Sequence, residues 1–181
     1  MQQEFETQIV DVNKEEIITK LRGLGAKEDA ELLQKRWVFD MSPCTVDSKG
    51  EWIRLRQVGN KKPTLTYKNK AGSGLNETTE LEVTVDDFEK TALILSQVKG
   101  FTGKYYQENK RIKFEYKGIE FTLDTWPMIP TYLEIEGRSE ADVHKGLTLL
   151  GLEGKDQGHL GTVAIYHRYG IELHDIAELK F

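Results

Sequence analysis

With 181 residues the chain is long enough to bury a core in one domain, or in one compact unit built from two similar halves. Charged side chains make up 30% of it and the net charge is −5 at pH 7, which excludes a generic nucleic-acid binder that neutralises phosphates over its whole surface. Cys44 is the only cysteine, which excludes an intrachain disulfide framework and a cysteine-rich zinc site. With no signal-like start and no apolar run near the roughly 20 residues of a bilayer span, the expectation is a cytoplasmic protein without membrane or nucleic-acid partners.

Residues 4–12 alternate as a strand does. Asn13 then stands three before Glu16, a capping-box pattern that predicts a helix with Ile17, Ile18, Leu21 and Leu24 as its apolar stripe and Gly23 and Gly25 as its stop. Lys35-Arg36-Trp37-Val38-Phe39-Asp40 predicts a second strand over about 30–40, ended by Ser42-Pro43. Two basic strands follow, Trp52-Ile53-Arg54-Leu55-Arg56 and Leu65-Thr66-Tyr67-Lys68-Asn69-Lys70, and Ala71-Gly72-Ser73-Gly74 predicts a hairpin loop.

The pattern then restarts. Residues 77–85 read as a strand, Asp86-Asp87 opens a helix carrying Phe88, Ala92 and Leu95, and a long strand over about 103–116 turns at Gly118 into Ile119-Glu120-Phe121-Thr122-Leu123-Asp124. Beyond Pro127 and Pro130 comes Tyr132-Leu133-Glu134-Ile135-Glu136-Gly137; Ser139 caps a further helix with Val143, Leu147 and Leu150 at helical spacing and Gly151 at its end. Residues 162–179 predict one or two short helices, with Tyr166 and Tyr169 placed to pack over the strands. Two halves, about 1–76 and 77–151, repeat the order Glu-x-Glu strand, helix, Lys-Arg strand, and 152–181 form a tail. The expected fold class is α+β, a single domain over 1–181 with about eight antiparallel strands able to close into a barrel and helices covering the apolar face.

Alternation assigns every strand two faces. One collects Glu4, Glu6, Arg54, Arg56, Lys68, Lys70, Glu80, Glu82, Arg111, Lys113, Thr122, Asp124, Glu134 and Glu136; the other is apolar, from Phe5 through Leu81 and Val83 to Ile135. A polar sheet face that simply meets water would give the same alternation on any one strand. Here, however, sign is segregated by strand, whereas a solvated face mixes signs to avoid like-charge neighbours. Two carboxylates about 4 Å apart repel by roughly 1–4 kcal/mol, so six or seven on one surface need protons, facing bases or bound cations. Mg²⁺ or Mn²⁺ suits the carboxylates, and phosphate oxygens suit the arginines and lysines, which points to a metal-assisted site for a small, highly charged anion.

The ordered motifs Glu4-Phe5-Glu6, Ile53-Arg54-Leu55-Arg56, Thr66-Tyr67-Lys68, Glu80-Leu81-Glu82, Lys110-Arg111, Leu123-Asp124 and Leu133-Glu134-Ile135-Glu136-Gly137 span residues 4–137. Together they resemble the CYTH superfamily, the triphosphate tunnel metalloenzymes that include class IV adenylate cyclases and thiamine- and inorganic triphosphatases. The resemblance implies an eight-stranded antiparallel closed β-barrel, the triphosphate tunnel. It places Mg²⁺ or Mn²⁺ on Glu4, Glu6, Glu80, Glu82, Asp124, Glu134 and Glu136, and the triphosphate on Gln8, Arg54, Arg56, Lys68, Lys70, Arg111 and Lys113. Arg54, Arg56, Lys68 and Arg111 would act in catalysis, and the implied substrates are ATP, thiamine triphosphate or tripolyphosphate.

One position departs from that pattern. The family's first motif is Glu-x-Glu-x-Lys, its lysine tied to phosphate binding and to activation of the attacking group, and here the last place holds the neutral Gln8. The ending around Tyr169-Gly170-Ile171-Glu172-Leu173 also lacks the Ser-Tyr-rich pattern of many members. Two functions stay open: phosphoryl transfer, as a triphosphatase or as a cyclase converting ATP to cyclic AMP and pyrophosphate, and a polyphosphate- or nucleotide-binding module with little turnover. A homodimer is compatible with either. Other candidate sites are poor: His144, His159, His167 and His174 lack the spacing of a helical zinc motif, Cys44 has no local activating partner, and Gly154-Lys155 lacks the flanking residues of a phosphate-binding loop.

Overall fold

The computed structural model describes residues 5–41, 50–70, 78–156, 158 and 160–181, with only the backbone of Lys70 and Thr78. Glu4, Cys44, His159 and the loop of Ala71-Gly72-Ser73-Gly74 lie outside the described residues, as does the side chain of Lys70. In chain order the elements are β1 (Phe5–Ile9), α1 (Lys14–Gly23), β2 (Lys27–Glu28), β3 (Leu32–Asp40), β4 (Gly50–Val58), β5 (Thr64–Lys70) and β6 (Thr78–Thr84). They continue as α2 (Phe88–Gln97), β7 (Gly103–Tyr116), β8 (Ile119–Thr125), β9 (Tyr132–Gly137), α3 (Glu140–Leu150), α4 (Thr162–Arg168) and β10 (Glu178–Leu179), with a 3-10 turn at Leu173–Asp175. Among the described residues no helix is long and apolar enough to cross a membrane.

Each of β1, β6 and β9, the Glu-x-Glu strands, runs into a helix, and the caps explain where those helices start. Asn13 accepts from the Glu16 amide at 3.0 Å, Asp87 from Lys90 at 2.9 Å and Ser139 Oγ from Asp142 at 3.2 Å, each satisfying one of the amides a helix start leaves over. Gly151 ends α3 with φ 66°, in the left-handed region that glycine enters without a Cβ penalty.

The chain forms two compact units. The first, Met1–Leu32 with Lys110–Ile165, contains the antiparallel order β1-β9-β8 and the later half of β7, on which β2 pairs. Its apolar face carries Ile9, Ile112, Phe114, Phe121, Leu123, Leu133 and Ile135, all buried and packed with Ile17 and Leu21 of α1 and Leu147 and Leu150 of α3. Each such side chain contributes about 1.5–3 kcal/mol by leaving water. Gly146 permits the fit: a Cβ there would lie 2.6 Å from Ile135 Cγ2, so α3 reaches the strands only with glycine at that place.

The second unit, Leu33–Asn109 with Tyr166–Phe181, orders the first half of β7, then β3, β4, β5 and β6, with β10 parallel to β7. Leu55 packs with Phe88 and Ala92 of α2, flanked by Trp37, Leu65, Val85 and Tyr106. The helix cover expected for the whole apolar face stops short of β6, where Leu81 is 68% and Val83 58% exposed. The ladder order starts at β1 and ends at β6, and among the described residues no ladder pairs those two strands. The α+β class and its eight ordered antiparallel strands therefore stand, whereas the closed barrel is not part of the observed hydrogen bonding.

Candidate functional site

In the first unit β1 lies beside β9 with Glu6 opposite Glu136 and Gln8 opposite Glu134. Partners in an antiparallel pair project from the same face, so two acidic strands far apart in sequence pool their carboxylates. One ligand oxygen from each of Glu6, Glu134 and Glu136 lies within 4.8 Å of the others. Thr122 faces Glu134 and Glu120 faces Glu136 from β8, and β7 sets Arg111 opposite Asp124 and Lys113 opposite Thr122.

Arg111 grips Asp124 through two bonds, Nε to Oδ1 at 2.9 Å and Nη2 to Oδ2 at 2.5 Å, and its Nη2 also reaches Glu134 Oε1 at 3.4 Å. Burial disfavours the guanidinium charge, but Glu134 and Asp124 outweigh it and raise the pKa of Arg111. Glu134 moves upward too, mainly through burial and then through the charges of Glu6 and Asp124, against the pull of Arg111 and Gln8. Lys113 forms an ion pair with Glu120. Three clustered, partly buried carboxylates offer hard oxygen donors and repel one another, and both properties fit Mg²⁺ or Mn²⁺.

In the second unit the face of opposite sign is built on β3, β4 and β5. Arg36 lies opposite Arg56, Arg54 opposite Thr66, and Lys68 opposite Glu80. Burial lowers the pKa of Lys68 and the Arg54 charge lowers it further, against an ion pair with Glu80. Arg36 is held by the Asn109 side-chain carbonyl and by Gln34 Oε1 at 3.3 Å, and Asn109 is fully buried. Like-charged groups set opposite one another favour anionic neighbours, and phosphate oxygens are of the kind that arginine binds.

The sequence groups Glu80 and Glu82 with the metal carboxylates. The structure places them on β6 of the second unit, where Glu80 pairs with Lys68 and Glu82 accepts from Thr66 Oγ1 at 2.7 Å. Asp124 shares the face of Glu134 and Glu136, but both its oxygens are engaged by Arg111. Gln8 is buried, with its amide bonded to Glu134 and to the backbone of Leu160. Arg36 and Glu120 belong to these faces and are absent from the sequence-derived set. Both were signalled by alternation, since Trp37 and Phe39 put Arg36 on the face of Arg54, and Thr122 and Asp124 carry Glu120 with them.

The CYTH domain family matches residues 2–157. No curated protein matches the chain. Among solved structures, the PH1012 protein of Pyrococcus horikoshii OT3 is 26% identical with a TM-score of 0.68, the alignment covering 84% of this chain and 93% of that one. A candidate adenylate cyclase of Vibrio parahaemolyticus is 15% identical with a TM-score of 0.69, over 92% and 98% of the two chains. HpAC1 of Hippeastrum, a candidate adenylyl cyclase described as having a dominant triphosphatase activity, is 18% identical with a TM-score of 0.57, over 92% and 96%. An antiparallel sheet with a carboxylate cluster on one unit and a cationic face on the other thus meets a family match over most of its length. The chain belongs to the CYTH domain family.

Proposed function

We propose that the protein is a divalent-metal-dependent phosphoryl-transfer enzyme acting on a small triphosphate. The observation that carries the reading is the cluster of Glu6, Glu134 and Glu136 in a chain of a family whose members are metal-dependent triphosphatases and cyclases. In this reading those three carboxylates hold Mg²⁺ or Mn²⁺, with Asp124, Glu80, Glu82 and Glu4 as further acidic candidates. Arg54, Arg56, Lys68, Lys70, Arg111 and Lys113 bind phosphate oxygens and neutralise charge developing on them. The metal, when bound, would add Lewis-acid polarisation of the phosphoryl oxygens.

The shift of Lys68 supports the anion role: a partly buried ammonium whose charge is disfavoured by burial and by Arg54 gains when a polyanion replaces water there. Gln8 supports the second reading, a binding module with little turnover, because its neutral amide is committed to Glu134 and Leu160 and supplies no cation to activate an attacking group. One assay separates the two. Incubation with tripolyphosphate, thiamine triphosphate or ATP plus Mg²⁺ or Mn²⁺, with phosphate, pyrophosphate and cyclic AMP quantified, is expected to give metal-dependent product that Arg54→Ala reduces at least about 100-fold with the fold intact. Metal-dependent binding without product leaves the module.

A further inference from the structure

Gln8 is 2% exposed and bonded at both ends of its amide. The Leu160 backbone N–H can only donate, so the atom facing it at 2.6 Å must be Oε1, and Nε2 is thereby turned to Glu134 Oε2 at 3.2 Å. The other oxygen of Glu134 lies 3.4 Å from Arg111 Nη2 and 3.5 Å from Thr122 Oγ1. The carboxylate is thus held on both oxygens, and its torsion is set from β1 as well as from β7 and β8.

The backbone before residue 160 is tied to β1 a second time, independently. Thr7 Oγ1 donates to Asp156 Oδ1 at 2.6 Å, and the Gln8 backbone N–H donates to the Gly158 carbonyl at 3.3 Å. That second tie makes the two roles of Gln8, tethering the segment and aiming Glu134, separable by experiment.

We propose that Gln8 is a positioning residue for the divalent cation: by donating to Glu134 without bringing a positive charge, it fixes that carboxylate toward Glu6 and Glu136 and adds no second cation to the Arg111 guanidinium already beside it. The inference rests on the metal reading of the cluster. A neutral donor orients a ligand without competing for it, whereas an ammonium in the same place would pair with Glu134 and oppose a cation.

The test is Mn²⁺ affinity of the full chain without substrate, by calorimetry, with electron paramagnetic resonance of the bound ion. Gln8→Met, which keeps the volume and removes both amide bonds, is expected to weaken Mn²⁺ binding about tenfold and to alter its spectrum, and Gln8→Lys to weaken it at least as much. Thr7→Val, which removes the side-chain ties to Asp156 and Gly158 but spares the Glu134 contact, is expected to bind within about twofold of wild type, the outer-shell penalty being absent. Binding by Gln8→Met and Gln8→Lys equal to wild type overturns the inference and leaves the metal reading standing. So does an equal loss in Thr7→Val, which makes the effect one of segment anchoring. Wild type that binds no Mn²⁺ removes the metal reading, and this inference with it.

Discussion

Arg111→Met is expected to destabilise the protein by about 3 kcal/mol, the lower end of the range for removing one partner of a buried ion pair. The physical reason is Asp124, which is 0% exposed and receives two bonds from Arg111. Without the guanidinium, a charged carboxylate remains in a place where water cannot replace the lost donors. Adding Asp124→Asn to Arg111→Met should recover part of the loss, because the buried charge goes with it. Urea denaturation followed by circular dichroism measures both variants, and Arg111→Met within about 0.5 kcal/mol of wild type would show that the pair is structurally idle. A catalytic assay of Arg111→Met is therefore interpretable only beside its stability: the side chain that the family pattern assigns to phosphate also keeps Asp124 folded in.

Glu134→Gln is expected to have the opposite profile, leaving the apo protein at least as stable while Mn²⁺ affinity falls at least about 100-fold, since ligand charge count governs the hold of oxygen sites on hard cations. Burial and the charges of Glu6 and Asp124 all work against the ionised form of Glu134, so a neutral amide relieves the apo state. The cation loses one of three clustered carboxylates and the charge that made the cluster attractive. Calorimetric Mn²⁺ titration and a thermal melt without metal read the two halves of the prediction. Unchanged affinity would remove Glu134 from the ligand set, and a large drop in apo stability would make it a structural residue.

The strands, their faces and the helix starts were legible in the sequence because each has a local cause. Period-two alternation marks β1, β4, β8 and β9, and Asn13 and Ser139 announce α1 and α3 one residue before they begin. Neighbourhood between strands was not legible. Alternation says that Glu6, Glu80 and Glu134 share a kind of face, but only long-range pairing decides that β1 joins β9 while β6 joins β5. Of the carboxylates in the three similar motifs, Glu6, Glu134 and Glu136 collect within the first unit, and Glu80 pairs with Lys68 within the second.

The same holds for Gln8. Its sequence position shows a missing positive charge, whereas its partners Glu134 and Leu160 lie beyond any local pattern. Gly146 in α3 breaks the usual preference of helices and reveals its purpose only against Ile135. The two-residue pairings β2 and β10 are too short to leave any periodic signal.

The most direct test is linkage between cation and anion: tripolyphosphate binding measured by calorimetry across a Mn²⁺ titration, on the wild-type chain. If carboxylates and cationic side chains serve one metal-bound polyphosphate, each ligand must tighten the other, and a coupling of at least about tenfold is expected. Tripolyphosphate affinity that does not change with Mn²⁺ would contradict the account, because the acidic and basic faces would then be serving separate purposes.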